Sequence, residues 1–372
     1  MKYYIIAGEA SGDLHGANLI KALKHSDHST SIRCWGGDNM AQAAGQAPVR
    51  HIHDLAIMGF VEVVGHLSTV LSNISFCKRD IEQFAPDAII YIDYPSFNMR
   101  IARWAHSRGY CNIHYISPQL WAWKKWRIKQ MRRDLDLLCY ILPFEQQFYA
   151  ENNFPQAVYV GHPLLDAVDS FKAQTHATPS TDPRPIVALL PGSRRQELKK
   201  TLPKMVRLAK HHPEYRFVVA GMSLIGAEFY RQYLPDNIEL LFDQTYQLLS
   251  QATTAVVCSG TATLETALFD VPQVVCYSAN PISIAIAKAV VSRRIRYISL
   301  VNLIADSDVV VELIQEDFND NRLELEFNKL NNSEVRQTML AGYARVRQLL
   351  GNAGASLRTA KAITETINRH HQ

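Results

Sequence analysis

The sequence predicts an α/β protein built from two doubly wound domains facing a cleft. Three observations predict this. Short, near-continuous apolar runs alternate with longer amphipathic stretches throughout the chain, as in parallel strands covered by helices on both faces. The length of 372 residues exceeds one ordinary domain and suits two. A polar, proline-containing segment from Ala173 to Pro185 has no apolar period and divides the chain. The expected domains are 1–172 and 186–352, with 173–185 as linker. Residues 353–372 are expected to form a C-terminal helix that packs back on the first domain.

Composition narrows the class. Hydrophobic residues make up 47% and charged residues 20%, which describes a globular chain with an ample core. The net charge of +4 is mild. No apolar run is long enough to span a bilayer, and the apolar start of the chain meets Glu9 too soon for a secretory leader. The six cysteines, at 34, 77, 111, 139, 258 and 276, are scattered and form no Cys-x-x-Cys pair. They read as buried reduced thiols of a cytoplasmic protein rather than disulfides or metal ligands.

In the first half, strands are expected at Tyr3–Ala7, Ile32–Trp35, Ala88–Asp93, Asn112–Ile116, Leu137–Leu142 and Val158–Gly161. The first strand runs into Gly8-Glu-Ala-Ser-Gly-Asp-Leu-His-Gly16. Its glycines stand four apart, unlike the dinucleotide fingerprint, and no acidic residue ends the second strand, which argues against NAD. They suit a tight turn and close approach of a ligand to the backbone. Glu9, Ser11, Gly12 and Asp13 are therefore expected at the cleft, with helix capping by Ser11 or Asp13 as the alternative. Asp93 ends a strongly apolar strand, where apolar surroundings raise a carboxyl toward the range a general base needs. Capping of the loop around Pro95 is the competing role. Asn98 orients either a substrate or that loop.

Two further segments concern surfaces. Ala56–Leu67, continuing to Phe76, is apolar on most sides, with Met58, Phe60 and Val63 among its residues. It reads as a buried helix or as an apolar flap that takes up acyl chains. The run from His114 to Arg133 gathers Lys124, Lys125, Arg127, Lys129, Arg132 and Arg133 beside Trp121, Trp123 and Trp126. Tryptophans among basic residues fit an anionic membrane surface. Nucleic acid is the second option, but no RNA-binding signature accompanies them. A solvated basic helix is the plain alternative.

In the second half, strands are expected at Ile186–Leu190, Arg216–Ala220, Glu239–Phe242, Thr254–Cys258, Gln273–Tyr277 and Ile298–Asn302. After the first of these, Pro191-Gly-Ser-Arg194 turns into a helix with Ser193 at its cap. Such a turn presents backbone N–H groups and a positive helix end to phosphate. Arg194 and Arg195 add guanidinium groups. A second turn, Ser259-Gly-Thr-Ala-Thr263, can wrap a diphosphate with its N–H groups and hydroxyls. Glu265 then lies one turn into the helix, placed to accept from two ribose hydroxyls. Asn302 at a strand end, and Glu312 in a following helix, are expected to close the pocket.

Taken together, the motifs resemble those of the lipid-A-disaccharide synthases, inverting glycosyltransferases of the GT-B fold with two Rossmann-like domains. The carriers are Gly8-Glu-Ala-Ser-Gly-Asp13, Met58-Gly-Phe-Val-Glu-Val63, Ile92-Asp-Tyr-Pro-Ser-Phe-Asn98, Tyr115-Ile-Ser-Pro-Gln-Leu-Trp-Ala-Trp123, Leu142-Pro-Phe-Glu145, Gly161-His-Pro163, Leu190-Pro-Gly-Ser-Arg194, Ser259-Gly-Thr-Ala-Thr-Leu-Glu265 and Asn302-Leu-Ile304. The Ile-Ser-Pro-x-x-Trp-Ala-Trp run is specific to that family, whereas Ser-Gly-Thr…Glu is shared more widely among GT-B enzymes. Some members carry a second acid in the aspartate loop. This chain has Ser96 there, which leaves Asp93 alone.

The resemblance implies transfer from UDP-2,3-diacylglucosamine to 2,3-diacylglucosamine 1-phosphate, giving a β-1,6-linked disaccharide phosphate and UDP. It implies Asp93, Glu9 and Ser11 as the catalytic group. Gly12, Asn98, Ser193, Arg194, Ser259, Gly260, Thr261, Thr263, Glu265 and Asn302 would bind substrate. Met58, Phe60, Val63, Trp121, Trp123, Trp126, Lys124, Lys125 and Arg127 would meet lipid on the cytoplasmic face of the inner membrane. No cofactor, metal or nucleic acid is implied, and a homodimer is compatible with it. The rival readings are a UDP-N-acetylglucosamine 2-epimerase, a peptidoglycan glucosaminyltransferase, or a non-enzymatic membrane- and nucleotide-binding protein.

Overall fold

The structure is a computed structural model, and it describes residues 1–53, 67–121, 126–174, 182–278 and 296–372. The chain forms two compact units. One comprises Met1–Pro163 with Asn352–Gln372, and the other comprises Leu164–Gly351.

The first unit holds a parallel sheet of seven strands in the order β3-β2-β1-β4-β5-β6-β7. They are β1 (Lys2–Ala7), β2 (Ser31–Gly36), β3 (Arg50–His51), β4 (Ala88–Ile92), β5 (Cys111–Tyr115), β6 (Leu137–Tyr140) and β7 (Ala157–Tyr159). Tyr3 to Ala7 and Ala88 to Ile92 are almost entirely buried, as expected of strands covered on both faces. Helices α1 (Ala10–Ser26), α2 (Asp38–Ala44), α3 (Leu67–Phe84), α4 (Pro95–His106), α5 (Arg127–Asp134) and α6 (Glu145–Glu151) connect them. One chain of polar groups runs through this core. Trp35 Nε1 donates to Tyr4 Oη at 2.7 Å, Tyr4 donates to Asp80 at 2.6 Å, and Arg33 holds Asp80 bidentately.

The second unit repeats the plan. Its parallel sheet has the order β10-β9-β8-β11-β12-β13, formed by β8 (Ile186–Leu190), β9 (Arg216–Gly221), β10 (Glu239–Phe242), β11 (Ala252–Cys258), β12 (Gln273–Tyr277) and β13 (Val311–Ile314). Its helices are α7 (Pro163–Gln174, with Pro163 on the boundary), α8 (Arg195–His211), α9 (Ala227–Arg231), α10 (Thr245–Leu249), α11 (Thr261–Leu268), α12 (Leu300–Ala305), α13 (Asp320–Lys329) and α14 (Ser333–Leu350). The final helix, α15 (Ala355–His370), belongs to the first unit and packs on α1, β5 and β6. Its inner face is lined by Ala355, Thr359, Ala360, Ile363 and Ile367.

Three features differ from the reading of the sequence. The boundary between units falls at Pro163/Leu164, ahead of the proline-containing 173–185 segment, of which 175–181 lie outside the described residues. The reason is that α7 packs on the second unit, where Phe171 meets Tyr246 and Phe269 edge-on at 5.7 and 5.8 Å. A short strand, β3, forms at Arg50–His51, where the sequence has no apolar run. Finally, the strand expected at Ile298–Asn302 is instead the start of helix α12. Ser299 Oγ caps it by accepting from the Asn302 N–H, and the edge strand is β13, which contains Glu312.

In each sheet the strand order reverses between the first and fourth strands of the unit. Ala7 pairs with Ile92 in the first, and Leu190 with Val257 in the second. Ligands of open parallel sheets bind outside the carboxyl ends of the strands at such a reversal. The Gly8 turn and Asp93 flank one reversal, and the Pro191 turn and Ser259 flank the other.

Candidate active site

Asp93 follows the last residue of β4, and both Asp93 and Tyr94 adopt left-handed backbone, with φ of 49° and 48°. Two successive non-glycine residues in that region are strained, and neighbours must hold them there. Asn98 supplies much of that hold. It is wholly buried, and its Nδ2 donates to the Asp93 carbonyl at 2.7 Å and, more weakly, to those of Ile92 and Ile6. The Asn98 and Phe97 N–H groups both return to the Tyr94 carbonyl. The Tyr94 ring stacks on Phe97 at 5.2 Å and lies over Gly8, where an added Cβ would come within 2.4 Å of the ring. Gly8 is therefore required by the shape of the Asp93 loop.

The Asp93 side chain is half-buried. Burial lifts its carboxyl to about 7, and the charge of Glu9 adds to the rise. Glu9 and Ser11 are both exposed, with Glu9 at the cap position of α1. Asp13 has a different duty. It is buried and accepts from the N–H groups of Gly37, Asn39 and Met40 and from Asn39 Nδ2, all within 3.1 Å. Asp13 thus caps α2, the neighbouring helix. Gly12 is buried as well, and a Cβ there would meet Ala7 and Ile92 at 3.3 and 3.5 Å. Its task is to seat α1 against the strand ends.

Besides Asp93, another acid in this unit has a carboxyl lifted by burial. Glu145, at the start of α6, is 1% exposed and accepts from the Leu142 N–H at 3.1 Å. Burial lifts its carboxyl to about 8. Ser117 and Tyr149 share a short hydrogen bond beside it. Its sequence signal, an acid three residues after a strand end, resembles any exposed helix start, so burial could not be read from it.

At the second unit's reversal, Arg194 is exposed at the cap of α8, and Ser193 beside it is also exposed. The N–H groups of Ser193 and Arg194 do not face solvent unoccupied. They donate to Glu197 Oε2 at 3.2 and 3.3 Å. The Ser259 hydroxyl donates to the Ile298 carbonyl at 2.9 Å and its N–H to Cys276 at 2.8 Å. Thr263 is fully buried, with its hydroxyl on the Gly260 carbonyl. Gly260 and Thr261 are exposed at the start of α11, where the Thr263 N–H returns to the Gly260 carbonyl at 3.2 Å.

Glu265 is half-buried. Burial raises its carboxyl, and the Tyr246 hydroxyl, donating to Oε1 at 3.0 Å, opposes that rise. Tyr246 had no signal in the sequence, because its partner is far along the chain. Asn302 is 1% exposed and committed within the protein. Its Nδ2 donates to the Val310 carbonyl and Glu312, while its Oδ1 accepts from the Val309 and Val310 N–H groups. Glu312, on a strand rather than a helix, also accepts from the Ile298 and Ser299 N–H groups. This pair organises the β12–β13 connection.

Of the surface residues, Met58, Phe60, Val63, Trp123, Lys124 and Lys125 lie outside the described residues. Trp121 packs edge-on against Phe144 at 4.9 Å. Trp126 is 67% exposed, with the Arg127 guanidinium 5.6 Å from its ring. Helix α5 buries Ile128, Met131 and Asp134 and exposes Lys129, Arg132 and Arg133. Among the described residues no helix is long and apolar enough to cross a membrane.

Known proteins resemble this chain along nearly its whole length. A family model of lipid-A-disaccharide synthetase matches residues 3–365. The chain is 35% identical to the lipid-A-disaccharide synthase of Geobacter metallireducens, covering 98% of this chain and 97% of that one. It is 33% identical to that of Coxiella burnetii, covering 98% of both. Solved structures share the fold at low identity. They include the UDP-GlcNAc 2-epimerase of Neisseria meningitidis bound to UDP-GlcNAc (TM-score 0.66, 14% identity, 99% of this chain and 100% of that chain). The glycotransferase of kitacinnamycin is another (TM-score 0.64, 15% identity, 98% of each chain). Matched by the family model over residues 3–365, and with two parallel α/β sheets of the GT-B fold class, this chain belongs to the lipid-A-disaccharide synthase family of glycosyltransferases.

Proposed function

We propose that the chain joins UDP-2,3-diacylglucosamine to 2,3-diacylglucosamine 1-phosphate with inversion, and that Asp93 is the general base. The observation that carries this is the carboxylate of Asp93 at the reversal of the first sheet, held on a strained loop and lifted to about 7. A base of that strength is half-ionised near neutrality and can both accept and release a proton. Asp93 takes the proton of the acceptor 6-hydroxyl as that oxygen forms its bond to the donor's anomeric carbon. The bond from that carbon to the diphosphate oxygen breaks, and UDP departs with the electron pair.

The leaving diphosphate gathers negative charge, which fixed positive groups stabilise. Arg194 and the exposed N-terminus of α11 at Gly260–Thr261 supply them. Glu265 accepts from the ribose hydroxyls, with Tyr246 holding one of its oxygens. Glu9 acts on Asp93 through its charge, and Asn98 and Gly8 keep the loop in place. In this reading Gly12 supports the Asp93 side within the first unit, and Ser259, Thr263 and Asn302 support the nucleotide side within the second.

Membrane attachment is part of the same proposal. Acylated substrates reside in a bilayer, and exposed Trp126 with Arg127, Lys129, Arg132 and Arg133 suits an anionic surface on the cytoplasmic face.

The test is direct. Purified protein given both diacyl sugars in the presence of EDTA should release UDP and form the disaccharide phosphate. Release that requires added magnesium would overturn the metal-free part. Interconversion of UDP-N-acetylglucosamine and its 2-epimer, with no need for an acceptor, would favour the epimerase reading instead.

A further inference from the structure

The turn after β8 was expected to offer its backbone to phosphate, yet those N–H groups are already taken. Glu197 reaches back from the first turn of α8, and one oxygen accepts from both Ser193 and Arg194. Its other oxygen lies 3.8 Å from the Arg194 guanidinium. The turn is shaped to admit this carboxylate. Gly192 has φ of +113°, and a Cβ there would stand 2.8 Å from Glu197 Oε2. On the opposite side, the Thr201 hydroxyl pins the Pro191 carbonyl at 2.6 Å. The carboxylate also lies near the ends of β11 and β12, where its charge raises the thiol of Cys258 and the phenol of Tyr277, in each case after burial as the larger cause.

A backbone N–H makes one strong hydrogen bond at a time. A diphosphate oxygen and the Glu197 carboxylate therefore compete for the same two donors. A glutamate tethered within one helical turn faces a small entropic cost compared with a free ligand. We infer that Glu197 is a positioning residue for Arg194: it keeps the turn's N–H groups occupied and sets the guanidinium, so this segment offers diphosphate a side chain rather than backbone. The inference rests on the proposed reading that Arg194 holds the UDP diphosphate.

The experiment compares UDP with uridine by calorimetry, because the ratio of the two affinities isolates the diphosphate contribution. Charge-assisted hydrogen bonds to a phosphate are strong. Glu197→Gln and Glu197→Ala should each lower the UDP-over-uridine ratio about tenfold, with uridine affinity unchanged. A lower Tm with an unchanged ratio in both variants would make Glu197 a helix cap only and overturn the inference. A raised ratio in Glu197→Ala would make it a blocking occupant and overturn it too. If Glu197→Ala fails to fold, Glu197→Gln, which keeps an oxygen for the turn, decides the matter. An Arg194→Ala variant with an unaltered ratio would instead remove the diphosphate reading itself.

Discussion

The charge of Glu9 should be visible in the pH dependence of turnover. The Asp93 carboxyl stands at about 7 against an ordinary 3.8, with burial the larger cause and Glu9 the second. Glu9 therefore accounts for less than half of the rise, and because it is exposed its field is screened by water and salt. Glu9→Gln should lower the Asp93 midpoint by about 0.5–1 pH unit. The assay is kcat/KM from acid to alkaline pH. Wild type should fall away below a midpoint near 7, tenfold per pH unit, as a base must be deprotonated to act. At pH 6 the Glu9→Gln variant should then turn over roughly two- to fivefold faster than wild type. Asp93→Asn should lose about 10²–10⁴ in turnover and the acid limb with it. The sign of the stability effect follows from the same shift. A carboxyl raised on folding costs stability progressively as pH climbs from its unfolded value toward 7. Asp93→Asn should therefore raise Tm at pH 8 and leave it unchanged near pH 4. A Glu9→Gln profile with an unmoved or higher midpoint would refute the electrostatic link, and near-normal turnover in Asp93→Asn would move the base elsewhere.

Three further outcomes are expected. Glu265→Ala should weaken UDP binding in calorimetry with little change in Tm, and Tyr246→Phe should do so to a smaller degree; equal affinity in Glu265→Ala would count against the ribose assignment. Glu145→Gln should raise stability above pH 8, by up to about 5 kcal/mol, and the gain should vanish near pH 4, where both side chains are neutral; a gain independent of pH in denaturant titrations would contradict the buried-acid account. Vesicles containing phosphatidylglycerol should sediment the protein at low salt, and replacing Lys124, Lys125, Arg127 and Lys129 with Ser should weaken this and flatten its salt dependence, each basic residue contributing about 1 kcal/mol. Wild type left in the supernatant would end the membrane reading.

Much of the architecture was legible because parallel strands buried on both faces have to be apolar along their length. Ile5, Ile6, Ile89, Ile90, Val256 and Val257 announce their strands without any partner being known. The two-residue β3, with Arg50 and His51 half-buried, carries no such signal. The run at Ile298–Asn302 misled because its composition suits strand or helix alike, and the Ser299 cap decides the matter. The site was legible in part for a related reason. Asp93 stands out as an acid closing an apolar strand, whereas the duty of Asp13 depends on Gly37 and Met40, and that of Asn302 on Val309 and Val310. Glu197 was hidden, because a cap at Ser193 puts Gln196 three residues on, whereas the helix starts one residue later with Arg194 at its cap and Glu197 in that place.

The route of the chain has a consequence for how the molecule can be cut. The Arg358 guanidinium donates to the Val160 carbonyl on the outgoing segment and to the Asn352 and Ala353 carbonyls on the returning one. Within the second unit, Asp169 of α7 is bridged to Arg347 of α14. Both ends of the intervening stretch are thus stapled together twice, once on each side of the crossing. The second unit is in effect a guest inserted into a host gene segment, entering and leaving by one doorway. Such guests tolerate excision and reconnection, because closing a loop whose ends already meet costs little. The host bears the opposite liability. Its last helix is encoded after the guest, so a chain shortened by only that helix strips α1 of its cover and leaves the guest whole.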